Sequence, residues 1–144
     1  MLAEEVKEES SYLTKGHNRL WSFKIYEVDF LAQMFDTLKL NKEFRRVYGR
    51  GKSQVQPLLV TYVLKRRAGG LRVGITAGKK VGGAVQRNRA RRIIRAAFVQ
   101  LVPQIKDGYD IVFVARTRTV TAKSTQVAEV MKSQLQAANA LTQE

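Results

Sequence analysis

The chain has 144 residues, 44 % of them hydrophobic and 26 % charged, which is material for one modest core and too little for two comfortable domains. Lys and Arg number 26 against 12 Asp and Glu, a formal charge of +14 that selects a polyanionic partner. Absence of cysteine excludes disulfides, thiolate nucleophiles and cysteine-held zinc or iron–sulfur centres; no run approaches the ~18 apolar residues of a membrane helix, and without a signal-peptide pattern the expected location is the cytoplasm.

Residues 1–33 carry six acids (Glu4, Glu5, Glu8, Glu9, Glu27, Asp29) and four bases, and their apolar residues follow no clean period. The composition changes at Met34. This predicts an N-terminal extension of uncertain structure over residues 1–33, or an over-long start, dispensable for function, and a single basic domain over residues 34–144.

In chain order, Asn41 followed by Phe44, Val47 and Tyr48 on one face, with Gly49 and Gly51 behind, predicts a short Asn-capped helix stopped by glycine. Leu58–Leu64 and Leu71–Ala77 read as strands, and the Lys65–Gly70 loop between them predicts a hairpin. A helix follows from about Val85 to Val102, with Pro103 as its stop. Tyr109–Ala115 is apolar enough for a strand buried on both faces. Val127, Val130, Met131, Leu135, Ala138 and Leu141 recur at helical spacing and predict a closing amphipathic helix. The order gives an α+β sandwich with helices packed on a small mixed sheet, the Val85–Val102 helix crossing between two strands.

Charge is concentrated where this crossover lies. From Phe44 to Lys106 there are 16 Lys and Arg and no acid, a run that no solvated salt-bridge lattice produces. On a helical wheel Ala90, Ile93, Ile94, Ala97, Phe98 and Leu101 form the core stripe, while Asn88, Arg91, Arg92 and Arg95 line the far side with Arg87 and Arg89 on the shoulders. Like charges at that spacing repel, and the planar arginine fork suits phosphate, so the face predicts a nucleic-acid ligand. Asn88 adds an amide for a base, a ribose hydroxyl or a metal-bound water. Upstream, Lys79 and Lys80 run through Gly82 and Gly83 into the helix start, where N–H groups favour phosphate oxygens. The spacing from Gly74 to Lys79 is one residue short of a nucleotide-binding P-loop, and Lys80 stands where Ser or Thr belongs.

Arg87-Asn88-Arg89-Ala90-Arg91-Arg92-Ile93-Ile94-Arg95, preceded by Lys79-Lys80-Val81-Gly82 and followed by Ala96-Ala97-Phe98, resembles the "RNR" signature of the bacterial ribonuclease P protein family. The likeness runs from Leu40 to about Arg116 and includes Asn41 to Tyr48, Val73-Gly74-Ile75 and Gly108 to Val112; Gly78 departs from the serine often found there. The resemblance implies a small α/β sandwich with a four-stranded mixed sheet packed against helices, similar to domain 2 of ribosomal protein S5, with a left-handed βαβ crossover. It implies an accessory subunit of the endoribonuclease ribonuclease P, whose RNA subunit uses Mg²⁺ to remove the 5′ leader of precursor tRNA. Lys79, Lys80, Arg87, Asn88, Arg89, Arg91, Arg92 and Arg95 would then face RNA, with ribonuclease P RNA and precursor tRNA as partners and neither a membrane nor a small-molecule substrate. Phe44, Tyr48 and Tyr62 would line the cleft for the single-stranded leader, which agrees with the way aromatic faces hold unpaired bases; each aromatic taken singly equally suits a core position.

No catalytic residue is expected in the protein itself. The one histidine, His17, lies in the extension. After Met34 the acids are Asp36, Glu43, Asp107, Asp110, Glu129 and Glu144, too scattered for the carboxylate cage of a metal nuclease, with Asp107 and Asp110 read as turn and edge residues. The carboxylate inventory argues against a self-sufficient nuclease, and no helix-turn-helix pair is present for reading duplex DNA. A ribosomal or other structural RNA-binding protein of similar fold remains the alternative.

Overall fold

The structure, a computed structural model, describes residues 34–142; the expectations for residues 1–33 lie outside them. The elements are β1 (Asp36–Thr37), α1 (Asn41–Arg50), β2 (Lys52–Val55), β3 (Leu59–Lys65), β4 (Leu71–Thr76), α2 (Ala84–Leu101), β5 (Tyr109–Ala115) and α3 (Ser124–Ala137). Short 3-10 turns occupy Lys79–Val81, Val102–Gln104 and Thr117–Thr121.

The sheet is mixed and runs β1-β4-β5-β3-β2. β4 pairs parallel with β5 and with β1, whereas β3 is antiparallel to β5 and to β2. The sheet thus has five strands where four were expected. The expected hairpin between Leu58–Leu64 and Leu71–Ala77 is absent as well, because β5 inserts between those strands, with Leu59 opposite Ala115 and Leu71 opposite Tyr109. A strand apolar on both sides gains most from the centre of a sheet, where both faces are covered. The hairpin forms one strand earlier, where Gln56 and Leu59 exchange backbone hydrogen bonds of 3.1 and 3.3 Å and join β2 to β3.

Alternation along β5 sorts the two cores. Ile111 and Phe113 point into the larger one, with Leu59, Val73, Ile94, Phe98, Met131 and Leu135 from the other strands, α2 and α3. Val112 points to the opposite face, where Leu38 and Val47 bury against it and Phe44, Tyr62, Leu64 and Val114 pack around them. α1 therefore covers one face of the sheet, and α2 and α3 the other.

Helix ends follow local chemistry. No side chain of Asn41 caps α1; the carboxylate of Glu43 instead accepts the N–H groups of Leu40 and Lys39 at 2.9 and 3.2 Å, a three-residue reach that satisfies donors the first turn leaves free. The helix ends as expected at Gly51, whose N–H reaches Val47 O at 2.8 Å. α3 stops at Ala137, short of the expected Leu141: Asn139 takes a left-handed φ of 59°, Ala140 N–H closes on Leu135 O at 2.9 Å, and Leu141 turns back to bridge Ile105. One buried polar side chain ties α3 to the sheet. Gln134 accepts the Thr61 hydroxyl at 2.6 Å and donates to Leu59 O and Gln54 O, so no donor or acceptor of its amide is wasted.

Candidate nucleic-acid interface

The crossover helix presents its basic face as the wheel predicts. Ala90, Ile94, Ala97, Phe98 and Leu101 are buried and Ile93 half-buried, while Asn88, Arg89, Arg91, Arg92 and Arg95 are exposed. Lys79 and Lys80 stand exposed on the 3-10 turn that leads into α2. That turn ends on Gly82 at φ 142°, a conformation closed to ordinary side chains, where a methyl group would also meet Gln86 Cβ at 2.9 Å. Arg87 is the exception: half-buried, with its Nε enclosed and without a hydrogen-bond partner. Asn88 Oδ1 accepts from Arg91 Nη1 at 2.9 Å, which orients that guanidinium and leaves the Asn88 amide N–H groups pointing outward for a ligand. Of the three salt bridges among the described residues none involves this face. Among the described residues no acid compensates its charge.

The three predicted cleft aromatics come together on the other side of the sheet. Tyr48 meets Tyr62 edge to face with ring centroids 4.9 Å apart, and Phe44 lies 6.5 Å from Tyr48. Tyr48 is 39 % exposed, whereas Phe44 and Tyr62 are half-buried, so the trio is part core and part open surface. Gly74 makes the trough possible: a methyl group there would stand 2.4 Å from the Phe44 ring. Tyr48 Oη reaches Thr76 Oγ1 at 3.5 Å, at the last residue of β4. Trough and arginine ridge thus occupy opposite faces of the sheet and share no single surface; Thr76 and the Lys79–Lys80 turn, close in sequence, are the link between them.

Beneath the trough lies an ionic network that the sequence did not reveal. Asp110 is buried in the central strand, correcting its reading as an edge residue. Its carboxylate takes a two-pronged contact from Arg72, Nε–Oδ1 at 2.8 Å and Nη2–Oδ2 at 2.6 Å, while Arg66 Nε stands 2.9 Å from Oδ1 as an ion pair whose N–H points off the oxygen. Arg72 Nη1 reaches on to Glu43 Oε2 at 2.5 Å. Two of the 16 bases in the acid-free run are therefore neutralised by acids lying just outside it. Hydrogen bonds to Asp110 push the Arg72 pKa up from its already high ordinary value against the cost of burial. The backbone N–H groups of Leu40 and then Lys39 hold the Glu43 carboxyl below its ordinary value, with the charge of Arg72 adding to them. The signal that could have revealed the network is a lone acid inside an otherwise apolar strand, which needs cationic partners if it is to be buried.

Comparison with known proteins converges on one family. The Ribonuclease P family model matches residues 33–139, which is most of the chain. The chain belongs to the ribonuclease P protein family. The ribonuclease P protein component of Clostridioides difficile (strain 630) is 45 % identical over 97 residues, 67 % of this chain and 82 % of the relative. That of Thermoanaerobacter sp. (strain X514) is 39 % identical over 107 residues, covering 71 % and 92 %. Among solved structures, the ribonuclease P protein of Staphylococcus aureus superposes with a TM-score of 0.65 at 29 % identity, covering 74 % of this chain and 97 % of that one. The protein from Thermotoga maritima gives 0.61 at 25 % identity, covering 70 % and 96 %. A ribonuclease P protein component is part of a tRNA-processing ribonuclease. Among the described residues no three acids or histidines gather into a metal-binding group, and no helix is long and apolar enough to cross a membrane.

Proposed function

We propose that this chain is the protein subunit that holds the RNA partners of ribonuclease P in register while the RNA subunit cuts. The observation that carries the reading is the exposed arginine face of α2, which joins no salt bridge among the described residues. Arg87, Arg89, Arg91, Arg92 and Arg95, with Lys79 and Lys80 at the helix entrance, offer forked donors to phosphate oxygens of the catalytic RNA, and Asn88 offers an amide to a base edge or a 2′-hydroxyl. Each phosphate neutralised releases condensed counterions, so binding is driven by charge and weakens with salt. The trough of Phe44, Tyr48 and Tyr62 takes the 5′ leader of precursor tRNA, whose unpaired bases stack on the ring exposed by Tyr48. Mg²⁺, held mainly by the RNA subunit and its substrate, would supply the metal-ion chemistry of the cut. Among the described acids, Asp110 is engaged by Arg66 and Arg72 and Glu43 by Arg72, and no three gather into a metal-binding group. The setting is the cytoplasm, where precursor tRNA is made.

Adding the chain to a bacterial ribonuclease P RNA with precursor tRNA at low Mg²⁺ is expected to raise leader removal, and no gain would reject the reading in favour of another structural RNA-binding role. Within the complex, Arg92→Ala and Arg95→Ala should each weaken RNA binding and reduce the salt slope by about one ion. A slope unchanged by either substitution would exclude a phosphate role for that side chain.

A further inference from the structure

The arginine ridge is more than a charged stripe, because three of its members overhang a cavity. Between β1, β4 and α2 lies an open pocket of about 260 Å³ lined by Phe35, Thr37, Val73 and Ile75 on the sheet side and by Arg91, Arg92, Arg95 and Phe98 on the helix side. Its reachable floor is apolar: Phe35 and Ile75 are half-buried and open to it, while Val73 and Phe98 close it from below. The Phe98 ring meets that of Phe35 at 89° with centroids 4.8 Å apart, an edge-to-face contact that braces Phe35 where it lines the pocket. The rim is three exposed arginines that join no salt bridge among the described residues.

We propose that this pocket captures a single unpaired nucleobase of the RNA bound along α2, with the flanking phosphates held by Arg91, Arg92 and Arg95. The volume is below the roughly 300–1,000 Å³ of pockets that take drug-sized ligands, and suits one flat heterocycle. A phosphate alone would leave the apolar floor wet and unused. An apolar protein side chain would strip water from three like charges and return no counter-charge. A nucleotide satisfies both halves: its base stacks on Phe35 and against a guanidinium plane, and its phosphates receive the remaining forks. Because the Phe44–Tyr48–Tyr62 trough lies on the opposite face of the sheet, this nucleotide belongs to a different stretch of RNA from the one stacked there. The inference rests on the functional reading above for the identity of the RNA. It adds a discriminating element, since a ridge that reads only phosphates cannot tell a helix from an unpaired bulge.

The test places a reporter in the floor of the full-length chain. Phe35→Trp in a Trp21→Phe background leaves one indole, at position 35. A ribonuclease P RNA transcript is expected to quench its fluorescence, whereas inorganic polyphosphate, which can occupy the arginines but brings no base, is expected to leave it unchanged. Any other pattern, including quenching by both or by neither, overturns the proposal. In parallel, Phe35→Ala should weaken binding of the same transcript roughly tenfold, the loss of one base stack, with the salt slope kept, in contrast to Arg95→Ala. A wild-type chain that raises cleavage while the indole stays silent refutes the pocket alone; a wild-type chain that fails to raise cleavage refutes the functional reading.

Discussion

Replacing Asp110 with alanine is expected to lower the stability of the described domain by about 3 kcal/mol, since it removes the buried counter-charge that two largely covered guanidinium groups share. The carboxylate is 1 % exposed, and the Arg66 and Arg72 side chains are 14 % and 24 % exposed. Removing a surface acid would be nearly silent; here the loss falls on one buried group that holds three parts of the fold. Arg66 also donates to Gly69 O and Gly70 O at 2.9 and 3.0 Å and thereby fixes the loop between β3 and β4. Arg72 carries the connection to Glu43 and so to the first turn of α1, the helix that supplies Phe44 and Tyr48. Against a total of about 5–15 kcal/mol for a domain of this size, the loss is a large fraction. Urea unfolding should show a lower midpoint with the slope preserved. Asp110→Asn keeps an acceptor in place and should fall between the two. If Asp110→Ala unfolds at the wild-type midpoint, the network does not hold α1 to the sheet.

How much of the molecule is legible in the sequence depends on how far apart the cooperating residues stand. The α2 stripe from Ala90 to Leu101 and its arginine face are local properties of one helix, so the 3.6-residue period exposes both. Phe44 and Tyr48 are four apart on α1 and their shared face is equally plain. Their meeting with Tyr62 is a tertiary contact that spacing does not encode, and only the family resemblance joins the three. The expected hairpin does not form because a glycine loop between two strands marks a reversal of direction but not who the neighbours are, and β5, more than 30 residues downstream, competes for both edges. β2, with sequence Lys52-Ser53-Gln54-Val55, carries no apolar alternation because it is an exposed edge strand. The burial of Asp110 is hidden for the same reason: Arg66 and Arg72 are distant in the chain, and register alone brings Arg72 alongside it in the parallel pair. Phe35 stands at the end of a stretch without a clean period, and only the packing of Phe98 beneath it shows what its ring is for.

Tyr48→Ala should weaken binding of leader-bearing precursor tRNA by roughly 5- to 150-fold, the equivalent of one lost base stack of about 1–3 kcal/mol. Mature tRNA, which lacks the leader, should bind as before. The prediction rests on exposure. Val47, one residue away, is fully buried and its truncation would act through stability, whereas Tyr48 leaves 39 % of its surface open and rests edge-on against Tyr62. Its loss removes little from the core and most of what the trough offers a base. Tyr48→Phe separates the ring from its hydroxyl: it gives up only the 3.5 Å approach to Thr76, and should bind the leader nearly as well as the wild type. Gly74→Ala supplies the converse, since the added methyl group must displace the Phe44 ring and narrow the trough from below while leaving Tyr48 chemically intact. Equal losses of precursor and mature tRNA on Tyr48→Ala would assign the residue to general RNA affinity and remove it from the leader path, because a stacking platform can only discriminate between substrates that differ in the strand it holds.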